Sequence, residues 1–322
     1  MSLKRTKRNL DRLAFYISGS LSRCVPRTWW RRQRPTLLTE ASWLLADDRD
    51  FLERRDHCCR IQQPFELGQA GTIASLDSQG LTTYYYDLQK LVRYFPPQLQ
   101  LRYLFGDLTV TPDQPTLVKS RPIGSAADNA NAVLLRLNQV RHYRFAVDKR
   151  PYRNKRDAAV WRGKSRNKPV RQEFLKRYRD HPTCDIGDSD RRMHGTSLYR
   201  PYLSIGEQLA YKCVISIEGN DVATNLKWIM ASNSVCLMAQ PRFETWFLES
   251  RLKPDHHYIQ LRDDFADLDE QLDRVLSNPD LAEWIIANAQ SYVVPFRDRH
   301  RERLLGLAVL DRYFHLSGQT GF

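Results

Sequence analysis

The sequence predicts an α/β protein, and three observations carry that reading. From about residue 155 onward, short apolar runs alternate with helical stretches, the pattern of βα units laid on a parallel sheet. Residues 36–95 read instead as mostly helical. The first 35 residues form a basic segment with an apolar stripe, unlike the rest. A chain of 322 residues has the length for two domains, and its 42% apolar content excludes wholesale disorder.

Taken in order, residues 3–22 place Leu3, Leu10, Leu13, Phe15, Tyr16, Ile17 and Leu21 among cations. That pattern suits a helix with one apolar and one basic face, lying on a membrane or packed on the fold. Trp29-Trp30 followed by Arg31-Arg32 favours an interfacial role, because Trp prefers the headgroup level. The whole chain carries +13, and residues 1–35 hold ten cations against one acid. Nucleic acid, an anionic membrane or a phosphorylated ligand would each suit that charge, and contact should begin at the N-terminus.

Thr39 and Glu40 open one helix, and Tyr84–Phe95 forms another that Pro96-Pro97 ends. Gln100–Phe105 reads as a strand running into Gly106-Asp107, and residues 111–131 as a long loop. Beyond residue 155 the strands are Ala158–Trp161, Cys184–Gly187, Cys213–Ile217, Val235–Met238 and Tyr258–Leu261. The helices between them are Val170–Arg179, Leu203–Tyr211, Val222–Ala231, Glu244–Arg251 and Leu268–Leu276. Leu281–Phe314 is helical with a break at Pro295.

Ligands of such sheets bind beyond the carboxyl ends of the strands. The residues to inspect are therefore Asp107, Arg162, Glu218 to Asp221, and 239–244. Arg162-Gly163-Lys164 offers cations and a close backbone approach, as a diphosphate requires. Glu218-Gly219-Asn220-Asp221 suits either a helix cap or a contact to a sugar hydroxyl. Asp188-Ser189-Asp190 has the form of a metal-binding triplet, but the adjoining Arg191-Arg192 opposes a cation. Asp263-Asp264 reads as a cap, and His256-His257 lacks a third ligand at useful spacing.

The six cysteines form no Cys-x-x-Cys pair and read as reduced thiols of a cytosolic protein. No apolar run reaches membrane-spanning length. Leu13–Ile17 is too short for a signal-peptide core, and the residues 317–322 are not a retention signal. The sequence has no P-loop, no Gly-x-Ser-x-Gly, no His-Glu-x-x-His and no nucleic-acid recognition module.

An ordered set of motifs over about residues 100–300 resembles glycosyltransferase family 90. It runs from Phe105-Gly106-Asp107 through Val118–Ile123, Asp128-Asn129, Val160–Gly163 and His181-Pro182-x-Cys184-Asp185. It is densest at Tyr211–Trp228 and continues to Glu244-x-Trp246-Phe247-x-Glu249 and His257–Ile259. The chain looks most like the bacterial lipopolysaccharide core transferases among the relatives, which also include fungal capsule xylosyltransferases and animal protein O-glucosyltransferases. The resemblance implies a GT-B-type fold, two Rossmann-like domains facing a cleft, here with a helical N-terminal extension. The expected organisation is a membrane-associating segment over 1–35, an acceptor-side domain over 36–154, a nucleotide-sugar domain over 155–294, and a C-terminal helix over 295–322 returning to the first domain.

The same resemblance implies inverting transfer from a nucleotide sugar, a UDP-sugar, to a lipid-linked glycan without a bound metal or other cofactor. It gives Asp107 the role of catalytic base and Arg162, with Gly163 and Lys164, the donor diphosphate. Glu218, Gly219, Asn220, Asp221, Thr224 and Lys227 would line the donor site with Glu244 and Glu249. Some relatives carry an Arg near Asn225, and Lys227 would take over its contact. Lys119, Arg121 and Asp128 fall on the acceptor side. The expected location is the inner face of the bacterial inner membrane, held by residues 1–35.

The chemistry of the residues agrees with this. Inverting transfer needs a carboxylate to take the acceptor proton and cations to stabilise the departing diphosphate. Two alternatives stay open: a nucleic-acid-binding protein, favoured by the charge alone, and a non-catalytic membrane adaptor with a transferase-like fold.

Overall fold

The computed structural model describes residues 13–17, 19 and 25–319. Most of the helix expected over 3–22 lies outside them. Residues 13–17 are helical. Helix α1 (Arg27–Asp47) follows Pro26 and buries Leu37 and Ala41. Asp48 separates it from α2 (Arg49–Cys58) and accepts the Phe51 amide at 3.0 Å, capping the second helix. The stretch 59–81 is not helical as expected but irregular, with only the short strand β1 (Gly71–Thr72). Pro64 and the left-handed Gly68 (φ +53°) break any helix there.

Helix α3 is Thr82–Val92. Then come β2 (Gln100–Leu101), β3 (Tyr103–Leu104), β4 (Thr116–Val118), β5 (Ser120–Pro122) and β6 (Ala132–Leu134). The segment expected as one long loop over 111–131 therefore contains β4 and β5. β4 is fully buried and lies parallel between β3 and β6, so tertiary pairing sustains a strand too short to stand out in sequence.

Next are β7 (Arg156–Gly163), α4 (Pro169–Tyr178), β8 (Cys184–Asp188), β9 (Tyr211–Ile215), α5 (Leu226–Met230) and β10 (Val235–Ala239). β11 (Phe243–Thr245), β12 (Ile259–Leu261), α6 (Leu268–Leu276), α7 (Pro279–Val293) and α8 (Arg299–Leu316) complete the chain. A single 3-10 turn, Val294–Arg297, separates the last two helices around Pro295. Three helices differ from expectation. Of 203–211 only Ile205–Gln208 is helical, residues 222–225 are a turn, so α5 starts late, and 244–251 holds no α-helix, only a 3-10 turn at Glu249–Arg251. There Phe243–Thr245 pairs antiparallel with β5, and Leu248 takes a left-handed φ of +57°.

The chain divides into two compact units. One contains residues 1–141, 243–248 and 295–322, and the other 142–242 and 249–294. The second unit is built on one five-stranded sheet of order β12-β10-β9-β7-β8, with every neighbouring pair parallel. Trp161, Phe174, Ile215, Leu237, Ile259 and Leu272 sit in its core. The mixed α/β architecture with parallel sheets is Rossmann-like.

The first unit is organised around a buried carboxylate, Glu302 on α8. It accepts from Arg54 Nη2 at 2.6 Å, Arg136 Nη1 at 3.1 Å and Trp246 Nε1 at 2.6 Å. One residue thus joins α2, the chain after β6 and the returning segment 243–248. Trp246→Phe keeps an aromatic ring but deletes the indole donor. A bond to a charged group contributes about 1.5–3 kcal/mol, so the urea midpoint of unfolding should fall accordingly. An unchanged midpoint would remove Trp246 from the set of stabilising contacts.

Candidate functional site

The second unit has a pocket beyond the carboxyl ends of β9 and β10. Its apolar wall includes Ile217, Val222, Leu226, Met238 and Phe265, and Glu218, Arg242, Glu249 and Asp263 add charge. The cavity measures about 160 Å³. Ligand pockets usually span roughly 300–1,000 Å³, so it suits one part of a donor, such as a base, rather than a whole nucleotide sugar. β8 and β9 lie on opposite sides of β7, so the chain reverses its direction across the sheet between β7 and β9. Open α/β sheets bind ligands at such a reversal, and the pocket lies beside it, lined by the chain after β9, β10 and β12.

Several bonds shape the loop after β9. Arg171 of α4 donates to the carbonyls of Ile217 (2.6 Å) and Glu218 (3.0 Å). The Glu218 carboxylate receives the Arg242 amide and Arg242 Nε, each at 3.1 Å. Asn220 accepts from Lys168 Nζ, and the Gly219 amide donates to the Asp221 carbonyl at 2.8 Å. Asp221 is buried, and Thr224 is half-buried in the turn before α5. Asn225 holds that turn to the strand, donating to the Ile215 carbonyl at 2.9 Å and accepting from Ser216 Oγ at 3.0 Å.

Beneath the pocket, Lys227 Nζ donates to Glu249, and both side chains are fully buried. The ammonium also lies 5.9 Å from the centre of the Tyr143 ring. Glu249 lines the pocket, so the pair fixes a carboxylate at its wall.

Arg162 lies at the end of β7 but does not line this pocket. Its guanidinium bonds to the Asp185 carboxylate (2.6 Å) and to the carbonyls of Asp185, Pro201 and Trp161. Burial raises the Asp185 pKa, but Arg162 and the Tyr211 hydroxyl together hold it below the usual carboxylate range. At Gly163 a Cβ would fall 2.4 Å from the Trp161 ring, so only glycine fits. Lys164 is exposed, with its carbonyl taken by Arg171.

Asp188 and Asp190 are each engaged by protein groups. Asp188 accepts from Ser165 and from the Asp190 amide. Asp190 is bound by Arg192, which holds its carboxyl down at about 2. Among the described residues no cluster of His, Cys, Asp and Glu could hold a metal. Asp264 caps a turn by accepting the Ala266 amide at 3.1 Å, while Asp263 faces the pocket.

The first unit carries Asp107, just after β3. Gly106 before it has φ +114°, a conformation that favours glycine. Lys119, itself buried, donates to Asp107 Oδ1 at 2.7 Å and so orients the carboxylate. Lys119 therefore joins Asp107. Arg121 and Asp128 do not. Arg121 is buried, bonded to Glu244 Oε1 (2.8 Å) and to the carbonyls of Ala132 and His57. Asp128 is exposed and bonded to Ser125, whose hydroxyl and amide hold its pKa down.

Glu244, expected among the donor contacts, needs correction: it belongs to the first unit and is absent from the pocket. Its carboxylate is fully buried against Arg121, Arg60 and His57. Burial lowers the pKa of His57, and Glu244 opposes that shift. The sequence reading missed Arg171 and Phe265 and marked Arg242 only as part of the stretch 239–244. Arg242 lies in the stretch after β10 where the strand-end rule directs attention, whereas Arg171 and Phe265 give no such signal.

A parallel sheet with a pocket at its carboxyl edge is the arrangement of an α/β ligand-binding protein. Residues 131–316 match the model of glycosyl transferase family 90. The chain is also 41% identical to the O-glucosyltransferase LpsA of Dichelobacter nodosus over 315 residues, 97% of this chain and 98% of the relative. The protein belongs to glycosyltransferase family 90 and is a glycosyltransferase.

The Lys227–Glu249 pair yields a stability test. Removing one partner of a buried pair costs about 3–5 kcal/mol, because the other charge stays uncompensated. Lys227→Met should lower the denaturant midpoint strongly, and Lys227→Met with Glu249→Met should recover most of the loss. A double variant no more stable than the single one would mean that the two charges are not coupled.

Proposed function

We propose that this protein transfers a hexose from a UDP-sugar to a lipopolysaccharide core or related surface glycan. Glucose is the sugar named for its bacterial relative. The observation that carries the reading is the pocket at the carboxyl ends of β9 and β10, within the stretch matched by the family. An apolar wall suits a base, and Glu218 and Glu249 offer acceptors for ribose or sugar hydroxyls. Arg242, at the pocket wall with its side chain 60% exposed, is available for the diphosphate. The two units serve as the lobes of a GT-B-type enzyme, the second binding the donor and the first supplying the base.

Asp107 takes the proton of the acceptor hydroxyl as its oxygen attacks the anomeric carbon. The bond to the diphosphate breaks on the opposite face, and the configuration inverts. Lys119 positions the carboxylate. The reaction proceeds without a metal, a reading supported by Asp188 and Asp190 being bound to Ser165 and Arg192. Residues 1–35 attach the enzyme to the inner face of the bacterial inner membrane by their +9 charge, in reach of a lipid-linked acceptor. Among the described residues no helix is long and apolar enough to cross a membrane.

Asp107→Asn should bind UDP as the parent does and transfer sugar about 10²–10⁴-fold more slowly, the usual contribution of a general base. Near-normal transfer by the folded variant would remove Asp107 from the chemistry. Chelator treatment should leave the parent's rate unchanged. A rate that vanishes with chelator and returns with manganese would contradict metal independence.

A further inference from the structure

Two cavities adjoin at the start of α1. One, of about 330 Å³, lies against α3 and the turn at 73–76, and its polar wall holds Arg27, Tyr85, Gln89 and Arg93. The other, of about 450 Å³, is walled mainly by Val25, Pro26, Trp29 and Trp30, with Arg32 alongside. Val25 and Trp30 line both.

The Arg93 guanidinium stacks on the Trp30 ring, 3.4 Å from its centre. Among the described residues, the buried Arg93 Nε and Trp30 Nε1 have no hydrogen-bond partner. Burial pushes the Arg93 guanidinium down, Tyr94 opposes that, and Arg303 adds to it. Arg93 is half-buried with its Nε unpartnered, and a cation partly withdrawn from water is stabilised when an anion meets it. Trp29 and Trp43 are 51% and 66% exposed on α1. Their spacing of 14 residues is about four helical turns, which puts both rings on one face. Exposed tryptophans on one face suit the headgroup level of a bilayer.

We propose that the paired cavities hold one anionic phospholipid, its phosphate against Arg93 and Arg27 and the start of an acyl chain against Val25, Trp29 and Trp30. A free phosphate would leave the apolar cavity empty, and a purely apolar ligand would leave Arg93 uncompensated. An amphiphile satisfies both. The site goes beyond the proposed transfer reaction and takes from it only the membrane setting, so loss of transferase activity would not decide it.

The test uses the full chain and short-chain phosphatidylglycerol below its micellar concentration, which removes avidity from the basic N-terminal segment. Calorimetry should show saturable one-to-one binding, with short-chain phosphatidylcholine weaker by about tenfold or more. Arg93→Met should weaken phosphatidylglycerol about 10- to 100-fold, the range of a lost charge-assisted bond. Arg93→Lys should recover part of it. Arg27→Gln, at an exposed position where folding is not at stake, should weaken it in the same direction. Transfer to a water-soluble acceptor should be unchanged in all three. Equal affinity of the two lipids, or of the parent and Arg27→Gln, overturns the proposal. So does inorganic phosphate that stabilises the protein against heat as much as the lipid, which would make this a free-anion site.

Discussion

All five strands of the larger sheet run parallel, so their carboxyl ends share one edge. Everything proposed for the second unit depends on that constraint. Parallel pairing requires each connection to cross the sheet and return, which leaves the loops after the strands side by side. Because β8 and β9 depart to opposite sides of β7, no connection covers the edge where they part. The pocket beside it is closed by apolar residues and stiffened by Arg171, which spans from α4 to the β9 loop. Glu249 faces the pocket from a fixed position because Lys227 neutralises it from within.

The first unit solves a different problem, that of buried charge. Glu244 and Glu302 are both removed from water, and each is surrounded by guanidinium groups. Such groups contribute little net stability compared with an apolar core, but losing one partner is costly. Their partners come from distant parts of the chain, Arg121 with Glu244 and Arg54 with Glu302. The charges therefore specify where the returning segments dock, which apolar packing alone specifies less sharply. Against that background Asp107 differs, since its side chain is 29% exposed and can meet a substrate.

The second unit was largely legible in the sequence. Its strands are continuous apolar runs because both faces are covered, and the turns between them carry Gly and Asp. Leu268–Leu276 matched its helix residue for residue. The first unit was less legible. Its strands are two or three residues long and exist only because distant partners pair with them, as β4 does between β3 and β6. The stretch Glu244–Arg251 reads as helical, yet pairing with β5 and the bend at Leu248 override it. Position after a strand drew attention to Glu218, which lines the pocket, and to Arg162, which does not, and it could not show that the Arg162 guanidinium is consumed by Asp185. Residue type and place are local properties, whereas availability for a ligand depends on tertiary partners.

The most direct measurement of the central claim is amide hydrogen exchange with and without saturating UDP. The account predicts added protection in the second unit at residues 216–223, 238–242 and 263–265, the loops around the pocket. Protection confined to the first unit, with those loops unchanged, would contradict it.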